Sequence, residues 1–373
     1  MVEELPLPCA RLGTRRALTV HRFGAPGTGP KAYIQAALHA DETPGLLVAH
    51  HLIRLLGSAR VTGEVVVVPM ANPVGLAQVV EGTLIGRHGL ASGGNFNRSF
   101  PDLAPAAEER LRGRLGPDAA ANVPLVRQAL REAHATLFPV DEIAALRHTL
   151  LGLALDADLV LDLHCDTEAV LHLYTGEALW PDAADLAAEL GCRAVLLARS
   201  SGGDPFDEAC ASPWWTLAER LGPQTPIPPA CLAATVELRG KADVSDAQAE
   251  ADARAILRIL VRRGLVAGDP GSLPALACEA TPLAGLDRLT APTSGVIAFR
   301  KQVGDRVAAG DVVAEIVDPT AADPGAARTP VTARCDGLLM ARSNVRFAGL
   351  GDLVASVAGP VPLETRGRGL LFD

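Results

Sequence analysis

From residue 32 to about 265 the chain alternates short apolar runs with stretches of helical pattern, and a chain written this way folds as a sheet with helices packed against it. The runs "AYIQAAL" (32–38), "EVVVVPM" (64–70), "ADLVLDLH" (157–164), "LHLYT" (171–175) and "CLAATVEL" (231–238) are rich in Val, Leu and Ala. They lack a clean in–out alternation, so both of their faces are buried. Between them lie "PGLLVAHHLIRLLGSA", "PAAEERLRGRL", "DEIAALRHTLLGLAL", "DAADLAAELG" and "DAQAEADARAILRILVRRG", which predict helices. Thr43 before Pro44 predicts an N-cap followed by proline at the first helical position. The expected class is α/β, with a largely parallel or mixed sheet flanked by helices. Ligand sites in such sheets gather at the carboxyl ends of strands, where His39, His164 and Glu237 fall. Residues 200–230, rich in Gly, Pro and Trp, read as a long loop over such a site.

The pattern changes near residue 273. "APTSGVIAFRKQVGDRVAAGDVVAEIVDP" (291–319) places short strands between Gly-Asp turns, and "TPVTARCDGLLMARSNVRFAGLGDLVASVAG" (329–359) repeats the plan. The duplication predicts a small β-sandwich of two similar halves that resembles the biotinyl/lipoyl fold, a barrel-sandwich hybrid. The chain then divides into a catalytic domain over 1–272 and a β-domain over 273–373. In biotinyl and lipoyl carriers the modified lysine sits at the hairpin between the halves, here "VDPTAADPGAART", which has none; Lys301 is the module's sole lysine and lies in a turn of the first half. A structural or site-capping module is expected in place of a swinging arm.

Composition excludes other classes. With 373 residues, 49% hydrophobic and 21% charged, the chain reads as globular. A net charge of −9 without a basic block argues against a nucleic-acid partner. No apolar run reaches the roughly 18 residues that span a bilayer, and the N-terminus has acids where an export signal needs bases, so a cytoplasmic protein with no membrane partner is expected. Seven scattered cysteines without a CxxC pair exclude a disulfide framework and a zinc knuckle. Cys165, beside His164, reads as a packing thiol.

Two segments have the makings of a metal site. His39 and Glu42, three residues apart at a strand-to-helix turn, can reach one ion, while "LVLDLHCD" offers His164 at a strand end with Asp162 two residues earlier on the same face. Asp162 is placed to hold an imidazole, as outer partners of metal-bound histidines usually do. Each segment alone is common in chains with nine histidines. Two further segments add weight. "GGNFNRSFPD" sets Asn97 and Arg98 in a glycine-punctuated loop, suited to a substrate carboxylate or to a solvated turn. "ATVELRG" puts Glu237 inside an apolar strand, where a carboxylate serves a salt bridge with Arg239 or acts as a general base.

In order, "LHADETPG", "GRHGLASGGNFNRSFP", "DLHCDTEAVLHLY" and "TVELRG" resemble the succinylglutamate desuccinylase/aspartoacylase family, a branch of the zinc carboxypeptidase-like fold. The resemblance implies one Zn2+ per chain held by His39, Glu42 and His164. It implies Glu237 as the catalytic base, Asn97 and Arg98 on the substrate carboxylate, and Arg87 polarising the scissile carbonyl. Two departures stand out: Ala40 occupies a position that is glycine in many members, and Arg87 lies ten residues before Asn97, further than in aspartoacylases proper. His50, His51 and His88 match no ligand position. The implied reaction is removal of an acyl group from an N-acyl amino acid, a small-molecule substrate. "DLHCDTEAVLHLY" looks like the subgroup of N-acetyl-2,4-diaminobutyrate deacetylases, with Asp166 and Glu168 offered to a substrate ammonium. The alternatives are a zinc carboxypeptidase, an acyl or biotin carrier-like binding protein, and a metal-free relative. Manganese or cobalt also suits a His2Glu set. Acyl group, side-chain preference and assembly into a homo-oligomer stay open.

Overall fold

A computed structural model of the chain describes residues 1–8, 11–91, 93–364 and 370. Cys9 lies outside these residues; the other six cysteines are free thiols. Nine strands form one mixed sheet, in the spatial order Val2–Leu7, Arg16–Gly24, Glu64–Val68, Lys31–Ala36, Leu159–Asp166, Leu232–Gly240, His172–Gly176, Ala194–Ala198 and Ala280–Pro282. The three central strands, from Lys31, Leu159 and Leu232, run parallel. The strand from His172 is antiparallel to the one from Leu232, and the first two strands of the chain are also antiparallel to their neighbours.

Helices cover both faces, as the unalternating strand runs predict. Tyr33, Val66 and Val160 turn toward helices Ala104–Leu111, Ala119–Ala135, Glu142–Ala154 and Phe206–Leu221. Their sequence neighbours Ile34, Val67 and Leu161 turn toward Pro44–Ser58, Ala184–Leu190 and Asp246–Arg262. Fully burying one such side chain is worth about 1.5–3 kcal/mol, so each central strand is held from two sides. Among the described residues no helix is long and apolar enough to cross a membrane.

Three local expectations are corrected. Residues 200–230 are not one long loop: Phe206–Leu221 is a helix that buries Trp214 and carries Pro213 within it. Tertiary burial of Phe206, Trp214 and Leu217 outweighs the breaker residues that suggested a loop. Thr43 begins its helix in αR geometry without a side-chain cap, although proline does occupy the first turn. Arg239 does not meet Glu237; its fork grips Asp252 at 2.7 and 2.9 Å.

Beyond residue 283 two antiparallel sheets enclose a second apolar core that includes Leu289, Ile297, Val313, Ile316, Leu339 and Val357. The halves interlock: Arg306–Val307 of the first pairs with Gly337–Arg342 of the second, while Phe347–Ala348 of the second pairs with Gly295–Phe299 of the first. These sheets dock on the large one through Leu283, Leu286, Leu338 and Met340 against Val170, Ala194 and Leu196. Glu168–Ala169, just past His164, pairs onto Gly337–Arg342, so the second unit grips the segment that leaves the site.

Candidate metal centre and its cavity

His39, Glu42 and His164 are 2–3% exposed, and their donor atoms all lie within 4.8 Å of one another. Among the described residues this is the one such group able to hold a metal ion. Three parallel strands build it. The chain leaves Ala36, turns sharply at Ala37 (φ 59°) and delivers His39 and Glu42 on one turn, closed by the Glu42 N–H donating to the His39 carbonyl at 3.1 Å. Non-glycine residues visit that region at a cost of roughly 1–2 kcal/mol, a strain found mostly where function requires it. His164 ends the neighbouring strand, and Glu237 sits directly across from it on the next.

The donor set fits a divalent cation. Nδ1 of His39 lies 3.0 Å from Glu42 Oε1, and Nδ1 of His164 lies 2.8 Å from Glu42 Oε2. On the far side of each ring a second acceptor waits: Asn95 Oδ1 lies 2.8 Å from His39 Nε2, and Asp162 Oδ2 lies 2.9 Å from His164 Nε2. A neutral His39 has one N–H, which Asn95 takes, so its Nδ1 lone pair is left facing the Glu42 carboxylate. A cation between the two Nδ1 atoms and the carboxylate resolves that repulsion. The outer partners are themselves braced, with Gln35 Nε2 donating to Asp162 Oδ1 at 2.9 Å and Tyr33 Oη donating to Gln35 Oε1 at 2.8 Å.

Charge follows the same geometry. Burial works against the Glu42 carboxylate, but the adjacent His39 and His164 hold its pKa well below the usual range. Burial works against charge on His164 too, yet Asp162 and Glu42 raise its pKa well above the ordinary imidazole value. His39 is lowered by burial. Burial, with Glu42 nearby, pushes the Cys165 thiol far up, which leaves it protonated; its backbone N–H donates to Glu42 Oε2 at 3.1 Å.

A cavity of about 200 Å³ opens on this cluster. Arg87, Asn97, Arg98, Asp166, Asp207 and Glu237 all line it. Arg87 Nη1 lies 3.2 Å from His39 Nδ1 and 3.4 Å from Glu42 Oε1. Its neighbour Gly86 permits this approach: a Cβ there would stand 2.2 Å from the Asp41 nitrogen. Asn97 Oδ1 accepts from the Phe206 N–H at 2.8 Å, tying the loop to a helix start, and its Nδ2 lies 3.3 Å from His164 Nε2. Arg98 rests on Gly203, where a Cβ would come within 2.5 Å of its Cδ. Glu237 is partly buried, but its Oε2 is shut off from solvent and has no hydrogen-bond partner. Burial, and then the Glu42 charge, push its pKa well up.

Most residues singled out in the sequence thus meet around one cavity. His50, His51 and His88 do not line it; His51 instead pairs with Asp246 at 3.0 Å. Glu168 does not line it either and is held by Arg342 at 2.7 Å and by Arg346. Asn95, Asp207 and Arg288 escaped the sequence reading. Asn95 had a signal, standing two residues before Asn97 in the same glycine-rich loop. Arg288 and Asp207 had none, because chain folding alone brings them to the site. Replacing Asn95 by alanine is expected to weaken metal affinity about 10- to 100-fold, the usual effect of losing an outer partner, as read by competition with a chromogenic chelator.

Comparison with known proteins finds a family model and several solved structures of similar fold. The model of the succinylglutamate desuccinylase/aspartoacylase catalytic domain matches residues 28–120. No curated protein matches the chain. Among solved structures, a candidate succinylglutamate desuccinylase/aspartoacylase family protein from Shewanella amazonensis SB2B superposes with a TM-score of 0.85 at 28% identity, over 96% of this chain and 98% of that one. A counterpart from Shewanella frigidimarina NCIMB 400 gives 0.84 at 25% identity, over 96% and 97%. The product-bound ectoine utilization protein EutE (DoeB) of Ruegeria pomeroyi shares the fold, with a TM-score of 0.67 at 18% identity over 96% and 95%. The matched segment carries His39, Glu42, Arg87, Asn97 and Arg98, and over that segment the chain is similar to the succinylglutamate desuccinylase/aspartoacylase catalytic domain.

Proposed function

We propose that the protein is a zinc-dependent amidohydrolase that removes the acyl group from a small N-acyl amino acid, with N-acetyl-2,4-diaminobutyrate as the first substrate to test. The observation that carries this is Glu237: a carboxylate oxygen buried without a partner, in the same cavity as a His–Glu–His cluster and two loop arginines. An unpaired buried acceptor is costly to keep, and a proton to be received gives it a purpose.

His39, Glu42 and His164 would hold the ion, oriented by Asn95 and by Asp162. When bound, the ion supplies Lewis acidity, lowering the pKa of water from about 15.7 toward 7 and polarising a carbonyl. Glu237, its basicity raised by burial, accepts the proton of the attacking water at its Oε2 and returns it to the leaving amine. Arg87 is near enough to the cluster to share the charge developing on the carbonyl oxygen. Arg98, backed by Gly203, receives the α-carboxylate. Asn97 serves both by fixing this loop to the helix at Phe206 and by abutting His164.

The domain reading is a catalytic unit over 1–272 and a biotinyl/lipoyl-like β-sandwich over 273–373 without a carrier lysine. Lys301 is tied to Asp311 at 2.9 Å. Leu283, Leu286, Arg288, Leu353 and Ser356 put the second unit on the cavity wall beside the catalytic residues, which favours a small ligand over a polypeptide. The second reading, a carboxypeptidase, needs room for a peptide beyond the scissile bond.

Amine release from N-acyl amino acids and short peptides decides between them, using native protein, metal-stripped protein and stripped protein given zinc back. Release from acyl amino acids that chelation stops and zinc restores is the expected result. Release from peptides alone moves the assignment to a carboxypeptidase, and release from neither removes both.

A further inference from the structure

We propose that Asp207 is the specificity-determining residue of this site, and that it receives a cationic amino group on the side chain of the substrate; this rests on the deacylase reading above.

Five carboxylates line the cavity: Glu42, Asp166, Asp207, Glu208 and Glu237. Glu42 belongs to the metal cluster, and Glu237 faces it from the adjacent strand. Asp166 Oδ1 is occupied by the Thr167 N–H at 2.6 Å and its hydroxyl at 3.2 Å. Glu208 Oε1 accepts from the Ser201 N–H at 2.6 Å. Asp207 is left. It is 8% exposed, where Asp166 and Glu208 are only half-buried, lines the cavity from the first turn of the helix Phe206–Leu221, and has no side-chain hydrogen-bond or ion-pair partner among the described residues; the backbone N–H of Glu208 is the one donor acting on it.

A buried carboxylate without a charged partner is unfavourable until a cation arrives. Its surroundings agree: burial, with the charges of Glu208 and Asp162, pushes its pKa up to about 7, in spite of the Glu208 backbone N–H that would lower it. A ligand ammonium reverses that balance by pairing with the ionised form. A neutral alkyl side chain would instead bury the carboxylate without a partner, so discrimination is expected to be large. Sites that hydrogen-bond a substrate group reject analogues lacking it far more strongly than apolar pockets separate homologues.

Arg87, Arg98 and Arg288 supply positive charge to the same cavity. A ligand that satisfies both signs has a carboxylate and, separately, an ammonium. The sequence offered Asp166 and Glu168 for that ammonium. Glu168 is taken by Arg342 and Arg346 outside the cavity, and Asp166 is turned to its own loop. Asp207 replaces them.

The test compares Nα-acetyl-2,4-diaminobutyrate with Nα-acetylnorvaline, its side-chain isostere lacking the ammonium, on metal-loaded wild type and on Asp207→Asn. The variant keeps the side-chain volume, and its melting temperature checks folding. Wild type is expected to favour the amine substrate, and Asp207→Asn to lower its kcat/KM by about 100-fold, mostly through KM, while kcat/KM for the norvaline substrate rises because no carboxylate is left to be buried unpaired. Equal loss on both substrates, or none on the amine, overturns the assignment while leaving the deacylase reading intact. If wild type hydrolyses neither, the deacylase reading fails and calorimetry with free 2,4-diaminobutyrate decides. Binding lost in Asp207→Asn sustains the amine site; no binding to wild type, or equal binding to both proteins, overturns it.

Discussion

Glu237→Gln is expected to lose about two to four decades of kcat while keeping a full complement of metal. The substitution preserves shape and removes only basicity. In the native protein the Glu237 Oε2 is screened from solvent and unpartnered, and burial reinforced by the Glu42 charge raises its affinity for a proton. Glutamine cannot accept that proton, yet it fills the same space across from His164. Substrate binding is carried elsewhere, so KM is expected to move little. The measurement pairs steady-state kinetics with metal analysis of the same preparation. A variant that retains wild-type kcat removes Glu237 from the chemistry. One that loses metal as well as rate makes it a structural support of the cluster.

His164→Ala is expected to lose the metal and, with it, about 3–5 kcal/mol of stability, the range seen when one partner of a buried charged set is removed. His164 lies between two carboxylates, 2.8 Å from Glu42 Oε2 and 2.9 Å from Asp162 Oδ2, both almost fully buried. Alanine leaves both acids facing an apolar gap. Chelating the metal from wild type removes only binding free energy; protein held at about 1,000 times its Kd loses about 4 kcal/mol, which added zinc restores. Denaturant unfolding separates the two cases: zinc rescues the stripped wild type and does not rescue the variant. If zinc stabilises His164→Ala as much as wild type, the ion is held elsewhere.

The sequence by itself determined the elements whose cause is local. Continuous Val- and Leu-rich runs predict strands buried on both faces, and Tyr33 and Ile34 do turn to opposite helical layers. His39 and Glu42 could be paired from spacing, because three residues on one turn bring their side chains together. Asp162 and His164 could be paired because alternate residues of a strand share a face. Local rules failed where packing outweighed them. Pro213 and the glycines around it read as loop, but burial of Trp214 and Phe206 pays for a helix.

Tertiary structure decided which distant residues meet at the metal cluster and its cavity. Asn95 stands 56 residues from His39, and Asp207 reaches the site on a helix of the opposite layer. Arg288 arrives from the second unit, on a strand whose alternation turns Leu286 and Arg288 to the cavity and Leu289 to its own core. The interlocked halves of that unit are likewise invisible in their repeat, which fixes the strands and not their partners. Periodicity records which face of an element is apolar. It carries no record of which other element covers that face, because strand pairing and helix docking are chosen by burial summed over the whole chain.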